Sequence, residues 1–272
     1  MQSRREVTYV LCDFGNSSLK LRYDQQTIRI AYTERAAWEL HVVDLLASLR
    51  SPLLLIATVA PHRTSSLFRS LQQRGVECLV CNVADALPAT NPILPYEGVQ
   101  GIGIDRILGL IGARRLVEPP LATVDCGTAV TVNVVSADGR CRGGAIFAGA
   151  QLQLYALSKA TAALPLLSFT APSELNIGTT TEEALQLGTL ASVVGGVREL
   201  LSIFSRQIGA EPLSVVISGG GGLPVATTLS KSWEGKLLYC PELVLEGMEV
   251  LLENASVVEL WAHVQSLQAL VA

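Results

Sequence analysis

The sequence predicts an α/β protein of two similar domains, and three observations support this prediction. Short apolar segments alternate with segments of helical periodicity along the 272 residues. A turn of the form Asp-x-Gly follows an apolar strand twice, in "DFGNS" from Asp13 and in "DCGTA" from Asp125. A chain that is 49% hydrophobic and 16% charged can bury a substantial core. We therefore expect a duplicated unit, with an N-terminal domain at 1–117 and a C-terminal domain at 118–272.

The first half reads as a β-hairpin followed by alternating strands and helices. The hairpin turns around Gly15-Asn16, between two segments rich in strand-forming residues. Thr64 is a candidate N-cap for the second helix, because a hydroxyl precedes its apolar periodicity. In order, the predicted elements are strand 7–12, strand 18–23, helix 36–50, strand 53–61, helix 64–75, strand 76–83 and a helix after about Gly103.

The second half repeats this plan. "LATVDCGTAVTVNVV" (121–135) places a second apolar strand before a second Asp-x-Gly turn and an alternating strand. "LSVVISGGG" (213–221) matches "LLLIATVAP" (53–61), since each is an apolar strand that ends in small residues. From Leu245 the pattern indicates an amphipathic helix that returns to the core.

Composition excludes several classes of protein. The net charge is −4 with no basic block, so no nucleic-acid partner is expected. The long uncharged stretch Pro212–Ser230 contains four consecutive glycines, and no run approaches the ~18 apolar residues of a membrane span. The apolar start is interrupted at Asp13, which argues against a signal peptide, so we expect a cytoplasmic protein with six reduced cysteines. Cys78 and Cys81 form a C-x-x-C pair with no partner pair or nearby His, which favours a plain strand over a zinc or redox site.

The first Asp-x-Gly turn carries more polar groups than a hairpin needs. Gly15 leaves the backbone amides accessible to phosphate oxygens, and Asn16 and Ser17 add donors. Asp13 at the strand end suits a cation lying between it and a phosphate. Lys20 can offset γ-phosphate charge. A plain hairpin is the alternative for either turn alone, and the recurrence at equivalent places argues against it.

The second turn offers the same kinds of group. Gly127 uncovers backbone amides, Thr128 supplies a hydroxyl, and Asp125 is the strand-end carboxylate. The run "SGGGG" (218–222) follows a later strand and could approach the ribose or base of a nucleotide, although glycine runs are commonly loops.

A third cluster lies in "YEGVQGIGIDR" (96–106). Asp105 falls in the first turn of a predicted helix, where an acidic residue can be simple capping. The functional alternative makes Asp105 a base or orienting group for a hydroxyl nucleophile, with the Arg106 guanidinium binding a carboxylate of the substrate.

Together these motifs resemble the type III pantothenate kinases of the acetate and sugar kinase/Hsp70/actin superfamily. "DFGNSSLK", "ATVAP", "YEGVQGIGIDR", "DCGTAVT", "GGAIFAG" and "IGTTTEEALQLG" are similar to family segments and occur in the family's order over nearly the full chain. The resemblance implies two duplicated actin-like (ribonuclease H-like) domains with mixed sheets flanked by helices. It implies a homodimer that phosphorylates the primary hydroxyl of pantothenate with ATP to 4'-phosphopantothenate, the first step of coenzyme A biosynthesis. It also implies Mg²⁺ or another divalent metal and K⁺ or NH₄⁺.

The resemblance also implies residue roles. Asp105 would activate or orient the hydroxyl, and Thr181 would reach pantothenate from the partner subunit. Asp13 would serve the divalent metal and Asp125 the monovalent cation. The remaining pantothenate-binding residues would be Tyr96, Gly103, Ile104 and Arg106, and the residues around the ATP phosphates Asp13, Gly15, Asn16, Ser17, Lys20, Gly127 and Thr128.

The chain departs from the family pattern at a few positions. Asn133 stands where the family often has Asp, Ala148 where it usually has Pro, and Val99 replaces a common Pro. The run "SGGGGLP" lacks the acidic residue that often follows the glycine pair of the family. Two other functions therefore stay open: a regulatory relative that binds ligand without turnover, and a filament-forming actin relative, which would leave Gly103-x-Asp105-Arg106 unexplained.

Overall fold

The first sheet carries the first Asp-x-Gly hairpin. The computed structural model describes residues 7–32, 36–210, 212–255 and 260–271. Within these, the strands of the first sheet are β1 (Thr8–Phe14), β2 (Ser18–Tyr23), β3 (Gln26–Ala31), β4 (Pro52–Thr58), β5 (Leu79–Asn82) and β11 (Gln265–Ser266). Their order is β11-β5-β4-β1-β2-β3, with β1 antiparallel to β2 and parallel to β4.

The second sheet carries the second hairpin. Its strands are β6 (Leu121–Cys126), β7 (Ala129–Val135), β8 (Cys141–Ala148), β9 (Ser214–Ser218) and β10 (Leu237–Tyr239). Their order is β10-β9-β6-β7-β8, with β6 antiparallel to β7 and parallel to β9. The order 5-4-1-2-3 of the first sheet thus recurs as 10-9-6-7-8, which confirms the predicted duplication and the pairing of 53–61 with 213–221.

Helices connect and cover the strands. They are α1 (Ala36–Ser48), α2 (Pro61–Gln73), α3 (Val83–Ala86), α4 (Ile104–Leu116), α5 (Ala150–Ala160), α6 (Thr181–Ile208), α7 (Gly222–Leu229), α8 (Leu243–Glu253), α9 (Leu267–Val271) and a short 3-10 helix (Leu260–His263). Buried side chains of β1, β2, β4, α1 and α2 form one core, and those of β6, β7, β9, α6 and α7 form another. Two mixed sheets with flanking helices are therefore observed, as predicted.

The second helix begins earlier than the sequence predicted. Pro61 occupies the start of α2, with Ala60 at the N-cap position and no side-chain cap. Proline suits this position because its φ is already helical and the first turn needs no amide bond. The assignment of Thr64 as N-cap is therefore wrong: its hydroxyl donates to Thr58 Oγ1 at 3.0 Å from inside the helix.

Helix α6 was not identified from the sequence. Its 28 residues open with a capping box, in which Thr180 and Glu183 each bond the other's backbone N–H. By length and composition α6 could also cross a membrane, although core helices of globular proteins meet the same criterion. Its Leu190, Val193 and Val197 pack into the core of the second sheet, which is the behaviour of a core helix.

Contacts divide the chain into two discontinuous compact units. The first comprises the described residues up to Ile93, Gly101–Leu108 and those from Val244, and the second comprises Leu94–Gln100 and Gly109–Leu243. The sequence instead predicted one division near residue 117. The C-terminal residues belong to the first unit: β11 pairs with β5, and Arg22 Nη1 binds Glu246 at 2.8 Å and Glu249 at 2.9 Å.

The cysteines are free thiols, as expected. Cys12, Cys78, Cys81, Cys126 and Cys141 are buried, and Cys240 is partly buried. Burial raises the pKa of Cys78 and of Cys81 to about 11, so both are protonated near neutral pH.

Candidate active site

The first Asp-x-Gly hairpin pairs its carboxylate with a lysine. Asp13 lies on β1 directly across from Lys20 on β2. The Lys20 Nζ is 3.7 Å from Asp13 Oδ2, and both side chains are largely buried. Asn16 and Ser17 lie exposed at the turn. The structure thus brings together a carboxylate and an ammonium group next to two exposed polar residues.

The glycine amides of both turns are used inside the hairpins. Gly15 N–H donates to Ser18 O at 3.1 Å, and Gly127 N–H donates to Ala129 O at 3.0 Å. The amides of the two glycines themselves are therefore engaged, and the prediction that the glycines uncover backbone amides for a phosphate concerns the other amides of the turns. A phosphate bound at either turn would therefore contact the residues that follow the glycine.

The second hairpin holds its carboxylate with a hydroxyl. Asp125 on β6 lies across from Thr131 on β7 and beside Ser218 on the parallel strand β9. Ser218 Oγ donates to Asp125 Oδ1 at 2.7 Å. Gly127 and Thr128 are exposed at the turn.

The glycine run after β9 packs directly on this turn. Gly219 has φ of +84°, and a Cβ there would lie 2.6 Å from Cys126 O and 2.8 Å from Asp125 Oδ1. Gly221 N–H also donates to Cys126 O at 2.9 Å. The run was predicted to approach ribose or base, and its observed contacts are with the Asp125 turn. Sequence analysis missed Ser218 because 93 residues separate it from Asp125.

Asp105 lies in the first turn of α4 and folds back over it. Its Oδ1 accepts a hydrogen bond from Arg106 N–H at 2.9 Å. A Cβ on Gly103 would overlap Asp105 Oδ1, so a larger residue there would require this carboxylate to move. Ile104 is buried and anchors the turn. Gly103, Ile104, Asp105 and Arg106 therefore form one local structure in the first compact unit.

Tyr96 belongs to the second compact unit. It is half-buried, and this burial raises the pKa of its hydroxyl, which stays protonated. Its carbonyl accepts a hydrogen bond from Val99 N–H at 3.0 Å. The "YEGVQGIGIDR" segment thus contributes residues 96–100 to one unit and 101–106 to the other.

Thr181 is the exposed first residue of α6. Backbone and side-chain hydrogen bonds from Thr179, followed by those from Thr180, lower the pKa of Glu183, so the capping box is charged at neutral pH. A cavity of about 840 Å³ lies between the loop 170–180 and the first turns of α6, and its lining includes none of the predicted site residues.

The donor sets available for metal are single carboxylates. The described residues contain no group of three or more His, Cys, Asp and Glu side chains able to share an ion. Mg²⁺ commonly takes one or two protein carboxylates and completes its shell with substrate phosphates and water. Asp13 fits such an ion, which would enter with a nucleotide, and does not fit a metal held by protein alone.

Comparisons with known proteins point to one family. The family model for type III pantothenate kinase matches residues 9–202. A type III pantothenate kinase of Halorhodospira halophila is 35% identical over 267 residues, covering 88% of this chain and 95% of the relative. One from Paramagnetospirillum magneticum is 31% identical, covering 80% and 88%.

Solved structures share the fold at low identity. A Baf family protein from Campylobacter jejuni superposes with a TM-score of 0.57 at 18% identity, covering 91% of this chain and 99% of that one. MreB5 of Spiroplasma citri bound to ADP gives 0.50 at 9% identity, covering 92% and 97%. The actin-like duplication is therefore confirmed. The chain belongs to the type III pantothenate kinase family, whose members phosphorylate pantothenate with ATP in coenzyme A biosynthesis.

Proposed function

We propose that Asp105 is the residue of this kinase that orients or deprotonates the primary hydroxyl of pantothenate. The observation that supports this is the fit of its carboxylate over Gly103, at the first turn of α4, where Arg106 N–H holds one carboxylate oxygen. We assign this carboxylate to the substrate hydroxyl. Phosphoryl transfer needs mainly alignment and charge stabilisation, so one placed carboxylate is sufficient.

Pantothenate carries a carboxylate that needs a cationic partner. We assign this to the Arg106 guanidinium, whose planar fork matches a carboxylate. Tyr96, Gly103 and Ile104 would complete the substrate contacts, with Thr181 contributed by the partner subunit. Tyr96 remains a neutral hydrogen-bonding group because its pKa is raised by burial.

The two hairpins are proposed to hold ATP. Asp13 and Lys20 lie 3.7 Å apart, so a phosphate and a cation can share this pair without leaving net charge buried. Asn16 and Ser17 at the first turn, and Thr128 at the second, would contact the phosphates.

Asp13 would hold the divalent metal, Mg²⁺ or a similar ion. Such an ion supplies charge neutralisation between phosphate oxygens when bound. Asp125 would hold K⁺ or NH₄⁺, since its described neighbours across the strands, Thr131 and Ser218, are neutral oxygen-bearing side chains.

A homodimer is supported by exposed apolar side chains in one stretch of the second unit. These are Ile146, Leu152, Tyr155, Leu157, Leu166, Leu175 and Ile177. Exposed apolar side chains are expected at a protein interface, and Thr181 follows this stretch closely in sequence. Leu166→Asp should lower the mass measured by light scattering from dimer to monomer, whereas Leu40→Asp, at an exposed site in α1, should not. An unchanged mass for Leu166→Asp would contradict this interface.

We also expect a cytoplasmic location, because the enzyme's ATP and pantothenate are used there. Cell fractionation with antibody detection checks it. Recovery of the protein in the membrane fraction would contradict it.

The decisive experiment is an ADP-release assay with pantothenate, ATP, Mg²⁺ and either K⁺ or Na⁺. We expect turnover that requires pantothenate and rises with K⁺. Asp105→Asn should lower kcat about 100-fold or more while the Kd for pantothenate changes little. Pantothenate binding with no turnover by the unsubstituted chain would instead identify a regulatory relative.

A further inference from the structure

The segment that carries Tyr96 is bound to the β7–β8 hairpin. Cys141 N–H, at the start of β8, donates to Pro95 O at 2.9 Å. Gly143 has φ of +92°, and Val99 Cγ1 lies 3.7 Å from the position a Cβ would take there. The hydrogen bond therefore attaches the segment to the hairpin at Pro95, just before Tyr96, and Val99 lies near Gly143 on the other side of Tyr96 in sequence.

A side-chain ion pair joins the same two parts. Arg140 Nη2 forms an ion pair and a hydrogen bond with Glu97 Oε2, and each side chain is a little over 40% exposed. Glu97 is the residue directly after Tyr96. The pair therefore joins the residue next to Tyr96 in sequence to the hairpin.

The hairpin turn that holds Arg140 is itself fixed. Asp138 accepts hydrogen bonds from Ser136 Oγ at 2.5 Å and from Arg140 N–H at 3.3 Å, and Arg142 Nη2 pairs with it at 2.7 Å. The Ser136 hydroxyl first, then Arg140 N–H and the two arginine charges, lower the pKa of Asp138. The carboxylate thus stays ionised at neutral pH, and Arg140 projects from an ordered turn.

We propose that Glu97 and Arg140 are positioning residues for pantothenate: their ion pair holds the segment around Tyr96 in the orientation that binds substrate. The inference rests on the role proposed above for Tyr96. The Cys141–Pro95 hydrogen bond survives loss of the pair, so the segment stays attached and Tyr96 gains rotational freedom. Pantothenate binding must then re-order Tyr96, so pantothenate binds more weakly. ATP binding and the chemical step do not require this re-ordering and stay unchanged.

The test compares Glu97→Gln and Arg140→Gln with a matched control. Arg142→Gln removes an equal charge from the same hairpin at similar exposure, 49% against 41%, and its side chain bonds Ser136 and Asp138. We expect Glu97→Gln and Arg140→Gln each to raise the KM for pantothenate about threefold, as befits an exposed ion pair, with kcat and the KM for ATP unchanged. Arg142→Gln should leave all three constants unchanged, because Ser136 Oγ and Arg140 N–H still bond Asp138 and hold the turn.

Charge exchange provides a second readout that a merely structural role would not move. Arg140→Glu should raise the KM for pantothenate more than Arg140→Gln, because it places two carboxylates together, and the double variant Glu97→Arg/Arg140→Glu should restore most of it. Equal effects of Arg140→Gln and Arg142→Gln, or no rescue in the double variant, would overturn the proposal.

Tyr96→Ala separates this inference from the proposed function. If Tyr96→Ala raises the KM for pantothenate and Arg140→Gln does not, the positioning role is wrong and the binding role of Tyr96 stands. If Tyr96→Ala leaves that KM unchanged, the assignment of Tyr96 fails, and the positioning proposal fails with it.

Discussion

The two Asp-x-Gly hairpins occupy equivalent places in their sheets but give their carboxylates different partners. The first joins β1 to β2 through residues 15–17, and Asp13 faces Lys20. The second joins β6 to β7 through Gly127 and Thr128 alone, and Asp125 faces Thr131. One hairpin therefore has an additional turn residue and a cation, while the other has a shorter turn and a neutral hydroxyl opposite its carboxylate.

This difference in partners is consistent with the two roles proposed above for hairpins that share one strand arrangement. The Lys20 ammonium at 3.7 Å offsets the charge of Asp13, so this hairpin can accept an anion together with a cation. Ser218 donates a hydrogen bond to Asp125 and adds no charge. The second hairpin thus offers a negative site for a cation. Four substitutions test this division of the two cations between the hairpins.

Asp13→Asn should have the largest effect. It removes the carboxylate proposed for the divalent metal and leaves the Lys20 charge unbalanced. We expect kcat to fall about 100-fold or more, in the range seen when one preorganised electrostatic group is lost. Initial rates measured against Mg²⁺ concentration check this. Asp24→Asn, at the exposed β2–β3 turn of the same sheet, is the control and should match the unsubstituted enzyme. If the rate of Asp13→Asn stays within twofold of the unsubstituted enzyme, the first hairpin does not hold the divalent metal.

Asp125→Asn should act mainly through the monovalent cation. The amide retains a hydrogen-bond acceptor for Ser218 but loses the negative charge. We expect the K⁺ concentration for half-maximal activation to rise about tenfold or more, since a full charge at contact distance is lost. Turnover measured across a K⁺ series at constant ionic strength checks it. If instead the Mg²⁺ dependence changes and the K⁺ dependence does not, the two hairpins have been assigned in the wrong order.

Gly219→Ala should damage the second hairpin through its backbone. At Gly219 a Cβ would meet Cys126 O at 2.6 Å and Asp125 Oδ1 at 2.8 Å, in addition to the strain of φ +84°. Gly209 ends α6 with φ +64° and has open space around it, so Gly209→Ala measures the strain alone. We expect Gly209→Ala to cost about 1 kcal/mol of unfolding free energy and Gly219→Ala about 2–4 kcal/mol. Urea unfolding measures both free energies. Equal losses would show that the close packing of Gly219 on Asp125 and Cys126 adds nothing to the backbone strain.

The sequence predicted the fold well because its signals are local and repeated. The apolar strands at 53–61 and 213–221 and the two Asp-x-Gly turns specify the same hairpin and parallel neighbour twice. Helix α6 was missed although its capping box, Thr180 to Glu183, is visible in "TTTEEAL". The predicted start of α2 at Thr64 is wrong because Pro61 suits the first helical turn, so the helix begins three residues earlier.

The site was less predictable because its contacts span the chain. Asp13 opposite Lys20 follows from hairpin register, and Asp105 beside Gly103 follows from adjacency. Ser218 holding Asp125 and Arg140 pairing with Glu97 depend on strand order and on a loop bound to a distant hairpin. No spacing rule within one sequence encodes such contacts.

We expect Ser218→Ala to have the smallest effect. It tests most directly whether the hydroxyl beside Asp125 makes the second hairpin differ from the first. It leaves the Asp125 charge in place and removes the donor at 2.7 Å that fixes one of its oxygens. If the hydroxyl only orients the carboxylate, the K⁺ concentration for half-activation should rise about fivefold, with kcat at saturating K⁺ unchanged. Ser218→Thr retains the hydroxyl and should stay near the unsubstituted value, with urea unfolding run alongside because the residue is buried. A loss of kcat that saturating K⁺ does not reverse would mean that Ser218 acts on the phosphates and not on Asp125, and the second hairpin would then resemble the first in function as well as in fold.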